Sequence, residues 1–190
     1  MNIKNHNVSK ILKVPKMYNK EIINTNQPNF LIRKSKIEDE EQIWKILKPI
    51  IRNGETYAIN RNLPRRSVLN YWMYGKNICY VLEIHNKILG LYYMRANQEG
   101  GGNHICNCGF AVMTTKTRNG IGRKMLNHSL NLAKEMGFKG MQFNLVVSNN
   151  KWAIKLWESE GFKIVGQIPS AFNHPNDGLI DAFIMFKKLS

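Results

Sequence analysis

Two glycines separated by one residue, Gly120 and Gly122, stand where strand-like sequence gives way to an amphipathic helical segment. Glycine lacks a Cβ atom, so main-chain N–H groups beside it can approach a ligand closely. A helix N-terminus also presents unpaired N–H groups and the positive end of the helix dipole, which suits phosphate. Arg118, Arg123 and Lys124 add positive charge around the turn. The pattern indicates a phosphate-binding turn; a plain strand–turn–helix corner with glycines for packing is the alternative.

Two asparagines interrupt apolar, strand-like sequence: Asn107 in HICNCGF and Asn144 in MQFNLVV. A buried amide left without a hydrogen-bond partner costs about 1–3 kcal/mol, so each is expected to bond the neighbouring main chain or a bound molecule. The first use is the commoner one for a core asparagine. Asn150 stands at the start of the next helical segment, where asparagine is a favoured cap. These amides are therefore either packing and capping groups or parts of a pocket.

The elements that position these residues follow from hydrophobic periodicity. His104–Val112 is rich in apolar, aromatic and β-branched residues and predicts a strand. Apolar residues then recur on one helical face, at Ile121, Met125, Leu126, Leu130 and Ala133. Met141–Val147 predicts a second strand, and the segment from Asn150 predicts a second helix. That helix ends at Gly161, which suits the left-handed position after a helix.

Further strands and helices are predicted on both sides of this unit. Strands are predicted at 29–34, 78–84, 88–94, 163–169 and 179–189, and helices at 38–52 and from Pro64. The strands at 78–84 and 88–94 form a predicted hairpin through His85, Asn86 and Lys87. Three consecutive glycines within 98–103 indicate a flexible turn, and SAFNHPNDG (170–178) is predicted as a loop.

The composition is that of a single globular domain. The chain has 190 residues, of which 43% are hydrophobic and 10% aromatic, enough for a sizeable core. No apolar run approaches the roughly 20 residues that a membrane span needs, and nothing resembles a secretory signal. The three cysteines are an odd number within strand-like sequence. They are expected to be reduced, buried thiols of a cytoplasmic protein and not a zinc site.

The net charge of +15 has three competing explanations: nucleic-acid binding, binding of anionic small molecules, or a bias toward Lys and Asn. The basic residues are scattered and no nucleic-acid module is recognisable, which favours the composition bias. Nucleic acid is therefore not an expected partner, although a ligand with several phosphates would gain from such a field. Residues 1–28 carry five lysines against one acid and are predicted to be a flexible arm before a domain at 29–190.

The order of these motifs resembles the GCN5-related N-acetyltransferases. The resemblance lies in the strand, the turn RNGIGR with its helix, the strand MQFNLVVS, and the helix-forming NNKWAIKLWESEGF, and it extends over roughly 29–189. It implies a mixed α/β fold in which a central, mostly antiparallel sheet splays near its middle and carries helices on both faces. The sequence departs from the family pattern at Thr117, which occupies the usual Gln/Arg position, with the arginine one place later at Arg118.

The resemblance implies that the phosphate turn holds acetyl-CoA, and that no metal is needed. The pyrophosphate would lie on the turn, main-chain N–H groups near Val112–Met113 would polarise the thioester carbonyl, and Asn150 would contact the pantetheine arm. The coenzyme-binding residues expected on this basis are Phe110, Ala111, Val112, Met113, Arg118, Asn119, Gly120, Ile121, Gly122, Arg123 and Asn150.

The acceptor side is also interpreted through the resemblance. The pattern HxCN…MQFN resembles a subgroup that acts on small amines and cyclic amino-acid analogues, in which the matching asparagines hold the acceptor. Asn107 and Asn144 are therefore expected to bind substrate through neutral hydrogen bonds, because an amide cannot act as a base. Glu55, Thr56 and Tyr57 are pocket candidates because the segment between the first two helices forms part of the acceptor pocket in this class.

No catalytic acid or base is assigned. Where the family usually carries a tyrosine that protonates the departing thiolate, this chain has Trp157, which has no proton to give at neutral pH. His104 and His174 are candidate bases for the amine's proton, and Glu83 and Glu99 are further ones. Catalysis could instead depend on proximity and on main-chain polarisation of the thioester.

The sequence therefore predicts an acetyl-CoA-dependent N-acetyltransferase whose acceptor is a small-molecule amine that attacks the thioester directly in a ternary complex. Two alternatives stay open: a non-catalytic acyl-CoA-binding regulator, and an enzyme that acetylates protein N-termini or lysines. A membrane partner is not expected; a homodimer is a candidate assembly, and the sequence does not decide the oligomeric state.

Overall fold

The fold is a seven-stranded sheet with four α-helices, seen in a computed structural model that describes residues 30–116 and 119–189. The predicted arm at 1–28 lies outside the described residues. The helices are α1 (Glu40–Asn53), α2 (Arg65–Met73), α3 (Ile121–Glu135) and α4 (Lys151–Ser159). The strands are β1 (Leu31–Lys34), β2 (Ile78–Ile84), β3 (Lys87–Ala96), β4 (Ile105–Val112), β5 (Gly140–Val147), β6 (Lys163–His174) and β7 (Gly178–Lys188).

The sheet opens between β4 and β5. Its order is β1-β2-β3-β4-β5-β7-β6, and β4–β5 is the parallel pair among otherwise antiparallel neighbours. These two strands pair at Ile105↔Gly140 and Cys106↔Met141 and not beyond. The β5–β7 register also shifts between Phe143 and Val146. The splayed, mostly antiparallel sheet expected from the sequence is therefore confirmed.

Each face of the sheet carries its own helices and its own core. Helices α3 and α4 pack on one face through buried residues such as Met125 and Trp157. Helices α1 and α2 pack on the other, around Leu47 and Trp72. Because side chains alternate along a strand, β4 places Cys106 and Cys108 in the first core and Ala111 in the second. None of the helices in the described residues is long and apolar enough to cross a membrane.

Local sequence signals set several boundaries. The β2–β3 hairpin turns at His85 and Asn86, whose φ angles of 48° and 61° match the two-residue turns that fit the twist of a hairpin. Helix α2 begins directly after Pro64, as predicted. The triple-glycine segment forms a single 3₁₀ turn at Gly100–Gly102.

The loop predicted at 170–178 is wrong over most of its length. Strand β6 continues to His174 and pairs with β7 at Phe172↔Ile180 and Asn173↔Leu179. An irregularity between Ile168 and Phe172, with a positive φ of 50° at Ser170, interrupts the register around Pro169 and then lets the ladder resume. The connection is therefore a short turn at 175–177 and not a long loop.

Candidate active site

The turn before α3 presents main-chain groups to open space. Gly120 has a φ of 74°, in the left-handed region that favours glycine, and a Cβ atom added there would meet no atom within 4 Å. The Lys124 N–H donates to the Gly120 carbonyl oxygen at 3.0 Å. The N–H groups of Ile121, Gly122 and Arg123 precede that bond, so they lie among the helix-start groups without an intrahelical acceptor. This geometry fits an anion such as a phosphate.

Gly122 has a different role from Gly120. A Cβ atom at this position would lie 3.3 Å from Leu156 Cδ2 on α4. The second glycine of the motif therefore lets the first turn of α3 pack closely against α4. Packing therefore accounts for Gly122, whereas the open space at Gly120 is compatible with the predicted phosphate contact.

The Arg123 side chain, next to the turn, is bound by residues at the end of α4. The Arg123 guanidinium pairs with Glu160, and its second nitrogen donates to Ser159 Oγ at 3.0 Å, both at the end of α4. The Arg123 side chain is therefore bound to the end of α4, and its N–H lies in the first turn of α3; the predicted contact of Arg123 with the coenzyme stays a prediction. Arg118 lies outside the described residues.

A cleft of about 530 Å³ lies beside the turn, on the side of the β2–β3 hairpin. Its lining residues are Phe30, Leu82, Ile84, His85, Leu89, Lys116, Asn119, Ile121 and Lys124. The Lys124 ammonium lies 4.3 Å from the ring centroid of Phe30. Two residues predicted to bind coenzyme, Asn119 and Ile121, therefore contribute to a cavity with a basic rim.

The edge of β4 that faces the splay offers one of the two predicted carbonyl-polarising groups. The Met113 N–H donates to the Leu89 carbonyl oxygen at 2.8 Å, so it belongs to the β3–β4 ladder. Successive N–H groups in a strand point to opposite sides, and the Val112 N–H therefore points toward β5. The prediction that Met113 supplies a main-chain donor is wrong, whereas Val112 remains a candidate.

Asn150 caps α4. Its Oδ1 accepts a hydrogen bond from the Ala153 N–H at 3.2 Å. Its Nδ2 group makes no hydrogen bond within the described residues and stays available to a ligand. The cap and the predicted pantetheine contact use different atoms of one side chain and do not exclude each other.

Trp157 is a packing residue. Its side chain is 8% exposed and lies 5.2 Å from the Phe110 ring and 4.8 Å from the Phe143 ring, measured between centroids. Phe110 belongs to β4 and Phe143 to β5, so Trp157 bridges the two strands on the α3–α4 face of the splay. Trp157 stands where the family usually carries a tyrosine, and its indole ring has no acidic proton to give to the departing thiolate.

The two predicted substrate-binding asparagines lie on the opposite face, but only one is buried. Asn107 is 5% exposed, and its Nδ2 donates to the Gln142 carbonyl oxygen at 2.9 Å. Asn144 is exposed, so its predicted burial is wrong. Its neighbours Met141 and Phe143 point into the α3–α4 core, and alternation places Asn144 on the other face, where α1 and α2 pack against β2, β3 and β4.

A row of amides joins three strands across the open part of the sheet. Gln142 Nε2 donates to Asn144 Oδ1 at 2.8 Å, and Asn144 Nδ2 donates to Asn97 Oδ1 at 2.7 Å. With the bond from Asn107 to the Gln142 carbonyl, this row connects β4, β5 and the residue after β3. Asn107 and Asn144 are therefore connected through Gln142, and their role in binding an acceptor stays a prediction.

The segment between α1 and α2 reaches this face through Tyr57. The Tyr57 hydroxyl donates to the Phe110 carbonyl oxygen at 2.6 Å, and burial raises the pKa of Tyr57 well above its usual value. Its neighbour Glu55 is exposed and Thr56 half-buried. The Tyr57 hydroxyl therefore connects the loop to β4 through this hydrogen bond.

Sequence reasoning missed an aromatic and cationic cluster beside the amide row. The hydroxyls of Tyr71 and Tyr93 lie 3.3 Å apart, and burial and the neighbouring Tyr71 raise the pKa of Tyr93. The guanidinium carbon of Arg95 lies 5.9 Å from the Tyr71 ring centroid and 5.8 Å from that of Tyr93. A Cβ atom at Gly109 would lie 2.5 Å from the Tyr93 ring, so this glycine lets the ring lie across β4.

None of the four candidate bases contacts the amide row within the described residues. Glu83 accepts hydrogen bonds from Arg33 at the β1 edge, and Glu99 is exposed and pairs with Lys76. His104 is exposed. His174 is 7% exposed, and its Nδ1 accepts the N–H groups of Asn176 and Asp177 at 3.3 and 3.2 Å in the β6–β7 turn. In the described part of the chain, no three His, Cys, Asp or Glu side chains group as metal ligands.

Comparison with known proteins identifies the fold and the family. A model of the acetyltransferase (GNAT) family matches residues 41–162. N-acetyltransferase aca1 from Schizosaccharomyces pombe is 32% identical over an alignment of 151 positions, and the match covers 70% of this chain and 72% of that protein. A GCN5-related N-acetyltransferase from Kribbella flavida superposes with a TM-score of 0.81 at 30% identity, over 84% of this chain and 98% of that one.

A further structure is that of yncA from Salmonella typhimurium, which contains its cofactor acetyl-CoA. It has a TM-score of 0.74 at 21% identity and covers 85% of this chain and 95% of that one, a likeness in fold. The family match spans more than half of the chain. The chain therefore belongs to the acetyltransferase (GNAT) family and is an acetyl-CoA-dependent N-acetyltransferase.

Proposed function

We propose that this GNAT-family enzyme transfers the acetyl group of acetyl-CoA to the amine of a small molecule, and that the acceptor binds on the α1–α2 face of the splayed sheet. The observation that carries the proposal is the amide row, in which Gln142 connects Asn107 to Asn144 near the point where the pairing of β4 and β5 ends. Neutral amides at this place can orient a small polar molecule through hydrogen bonds.

The coenzyme would lie in the splay between β4 and β5, with its pyrophosphate at the start of α3. Gly120, the N–H groups of the first turn and Asn119 would hold the phosphates. Val112 N–H and Asn150 Nδ2 would hold the part nearer the reacting carbonyl. When bound, acetyl-CoA supplies the acetyl group as a thioester. The open space at Gly120 and the available Nδ2 of Asn150 support this assignment.

The proposed reaction is direct transfer in a ternary complex. The acceptor nitrogen forms a bond to the acetyl carbon, the carbon–sulfur bond breaks, and the sulfur leaves with the bonding electron pair. The amine loses one proton, which passes to solvent because none of the titratable candidates contacts the amide row in the described residues. What the protein contributes is orientation by Asn107 and Asn144 and polarisation by the Val112 N–H.

A cytoplasmic location is part of the proposal. Cys79, Cys106 and Cys108 are free and buried, and burial raises the pKa of Cys79 to about 12. Buried neutral thiols are unreactive and are typical of proteins from a reducing compartment.

The experiment that tests the proposal is a thiol-release assay. The full-length protein and acetyl-CoA would be incubated with amino acids, cyclic imino acids, polyamines and aminoglycosides, and acetyl-CoA binding would be measured in parallel by calorimetry. We expect release of CoA that depends on one class of small amine. Tight acetyl-CoA binding without release from any small amine would contradict the small-molecule acceptor and favour a protein substrate or a regulator.

A further inference from the structure

The cleft of about 530 Å³ beside the start of α3 is larger than a pyrophosphate needs. Its volume lies in the range of small-molecule binding sites. Asn119 and Ile121, which flank Gly120, both line it, so the cleft begins where the pyrophosphate is proposed to bind. From there it extends along β2 and β3 to His85 in the hairpin turn. The cleft therefore has room for a further part of the ligand that binds at the turn.

The floor of the cleft is apolar. Five of its nine lining residues are hydrophobic: Phe30, Leu82, Ile84, Leu89 and Ile121. A Cβ atom at Gly90 would lie 3.1 Å from Ile121 Cγ2, so this glycine lets the first turn of α3 pack closely onto β3 and holds Ile121 in place. An apolar surface suits a flat aromatic ring, and Phe30 provides a ring against which it can stack.

Two lysines lie at the same cleft, Lys116 after β4 and Lys124 in α3. The Lys124 ammonium lies 4.3 Å from the Phe30 ring centroid, which places this cation beside the apolar floor. No Asp or Glu of the described residues lines the cleft; Glu83 of β2 accepts hydrogen bonds from Arg33 instead. Because a lysine ammonium binds phosphate as a point charge, the cleft suits an aromatic ring that carries a phosphate.

The opposite side of the turn, toward α4, is already filled. A Cβ atom at Gly122 would lie 3.3 Å from Leu156, and Arg123 pairs with Glu160. The splay between β4 and β5 is the proposed place of the pantetheine arm. A coenzyme with its pyrophosphate at Gly120 has one further arm, the adenosine that carries the 3′-phosphate. On the side of the β2–β3 hairpin, the cleft offers this arm a cavity that matches its chemistry.

We propose that the cleft binds the adenosine 3′-phosphate end of acetyl-CoA, with the adenine on the apolar floor and the 3′-phosphate at Lys116 and Lys124. This inference rests on the proposed placement of the coenzyme and does not depend on the identity of the acceptor. The pyrophosphate stays on main-chain groups at the turn, so the two lysines act on a different phosphate of the same molecule. The enzyme therefore selects coenzyme A over its 3′-dephospho form.

Two other occupants have to be distinguished from the coenzyme. A free purine nucleotide has the same ring and phosphate, but it is not held at the adjacent turn, whereas a bound coenzyme has a high effective concentration of its adenosine at the cleft. Residues 1–28 carry five lysines against one acid, and their charge repels the two lysines at the cleft. Proximity and charge both favour the coenzyme.

The test compares ligands that differ in one phosphate. The Kd values of CoA and 3′-dephospho-CoA would be measured by calorimetry on the full-length protein. We expect CoA to bind at least about tenfold more tightly, because charge-assisted hydrogen bonds to the 3′-phosphate form only with CoA. Adenosine 3′,5′-bisphosphate, which is this end of the coenzyme as a free molecule, should bind more weakly than CoA and be displaced by saturating CoA.

The double variant Lys116→Gln, Lys124→Gln should raise the Kd of CoA by about tenfold and leave that of 3′-dephospho-CoA within about threefold, so the preference is lost. The matched control is Lys134→Gln, Lys139→Gln. It removes the same number of charges from exposed positions at the other end of α3 and should keep the preference. Ile84→Glu places a carboxylate on the apolar floor and should raise the Kd of both ligands.

The outcomes separate this inference from the coenzyme placement on which it rests. If wild-type protein binds CoA and 3′-dephospho-CoA equally well, or if the variant at Lys116 and Lys124 keeps the preference, the cleft assignment is overturned and the pyrophosphate site at Gly120 stands. Binding of adenosine 3′,5′-bisphosphate beside saturating CoA, or unchanged Kd values in Ile84→Glu, would also overturn it, because the cleft would then have another occupant. If Gly120→Asp leaves both Kd values unaltered, the proposed coenzyme site fails and the inference fails with it.

Discussion

The two ends of the proposed active site present different parts of the chain to their ligands. At the start of α3 the available groups belong to the main chain: a left-handed Gly120 and the N–H groups of the first turn, while the nearby Arg123 side chain is engaged by α4. On the α1–α2 face the polar groups are the side chains of Asn107 and Asn144, which both take part in the amide row. The coenzyme end should therefore respond to changes in the backbone, and the acceptor end to changes in side chains.

The largest effect is expected at Gly120. Gly120→Asp forces a side chain into a left-handed conformation, which costs about 1–2 kcal/mol, and places a carboxylate where the pyrophosphate is proposed to bind. We expect the Kd for acetyl-CoA to rise by about 100-fold or more, measured by calorimetry. Gly137→Asp is the control, because Gly137 at the other end of α3 also has a positive φ of 85° and open space. Equal losses in both variants would contradict the phosphate-turn assignment.

Next in size are the two asparagines. Asn107→Ala and Asn144→Ala should each lower kcat/KM for a verified acceptor by about tenfold or more, and leave the Kd for acetyl-CoA within about threefold. The two variants should differ in their free energy of unfolding. Asn107→Ala leaves a buried carbonyl without its partner and should lower the free energy of unfolding by about 1–3 kcal/mol. Because Asn144 is exposed, Asn144→Ala should lower the free energy of unfolding by less than about 1 kcal/mol. If kcat/KM is unaltered in both variants, the two asparagines do not bind the acceptor and their role is packing.

Substitution of Trp157 tests whether this residue takes any part in proton transfer. Trp157→Phe removes ring volume between Phe110 and Phe143 and should lower the free energy of unfolding by about 1–3 kcal/mol. Because the indole is no acid, kcat should stay within about threefold of wild type, and its pH profile should keep its shape. A loss of kcat by two orders of magnitude in a folded variant would show that Trp157 does more than pack.

The smallest effect on coenzyme binding is expected at Arg123. Its guanidinium already pairs with Glu160 and Ser159, so Arg123→Gln should change the Kd for acetyl-CoA by less than about threefold and stability by less than about 1 kcal/mol. A loss in affinity comparable to that of Gly120→Asp would mean that the side chain leaves α4 to bind the coenzyme. It would also remove the contrast between the two ends.

Local patterns predicted most of the fold and the turn before α3. The strand–turn–helix order, the left-handed turn at Gly120 and the cap at Asn150 all depend on residues close together in the sequence. The predictions of a loop at 170–178 and of a buried Asn144 were wrong because the strands there are irregular. The register shift near Ser170 extended β6 into a predicted loop. The position of Asn144 on an uncovered part of the sheet made it exposed, although its neighbours are apolar.

The aromatic and cationic cluster beside the amide row could not be predicted from local sequence. Tyr71 comes from α2, Tyr93 and Arg95 from β3, and Asn107 from β4, and no short motif connects them. Their association depends on the β3–β4 register and on Gly109, which gives the Tyr93 ring its place. Alternation along β3 was the available signal, since residues 93, 95 and 97 share one face.

The contrast between main chain and side chains is tested most directly by amide hydrogen exchange, measured on the full-length protein by NMR with and without acetyl-CoA. The account predicts that acetyl-CoA slows exchange at Ile121, Gly122, Arg123 and Val112, and leaves Met113, already bonded to Leu89, almost unaltered. Protection confined to other parts of the chain, with exchange in the first turn of α3 unchanged, would contradict the main-chain coenzyme site.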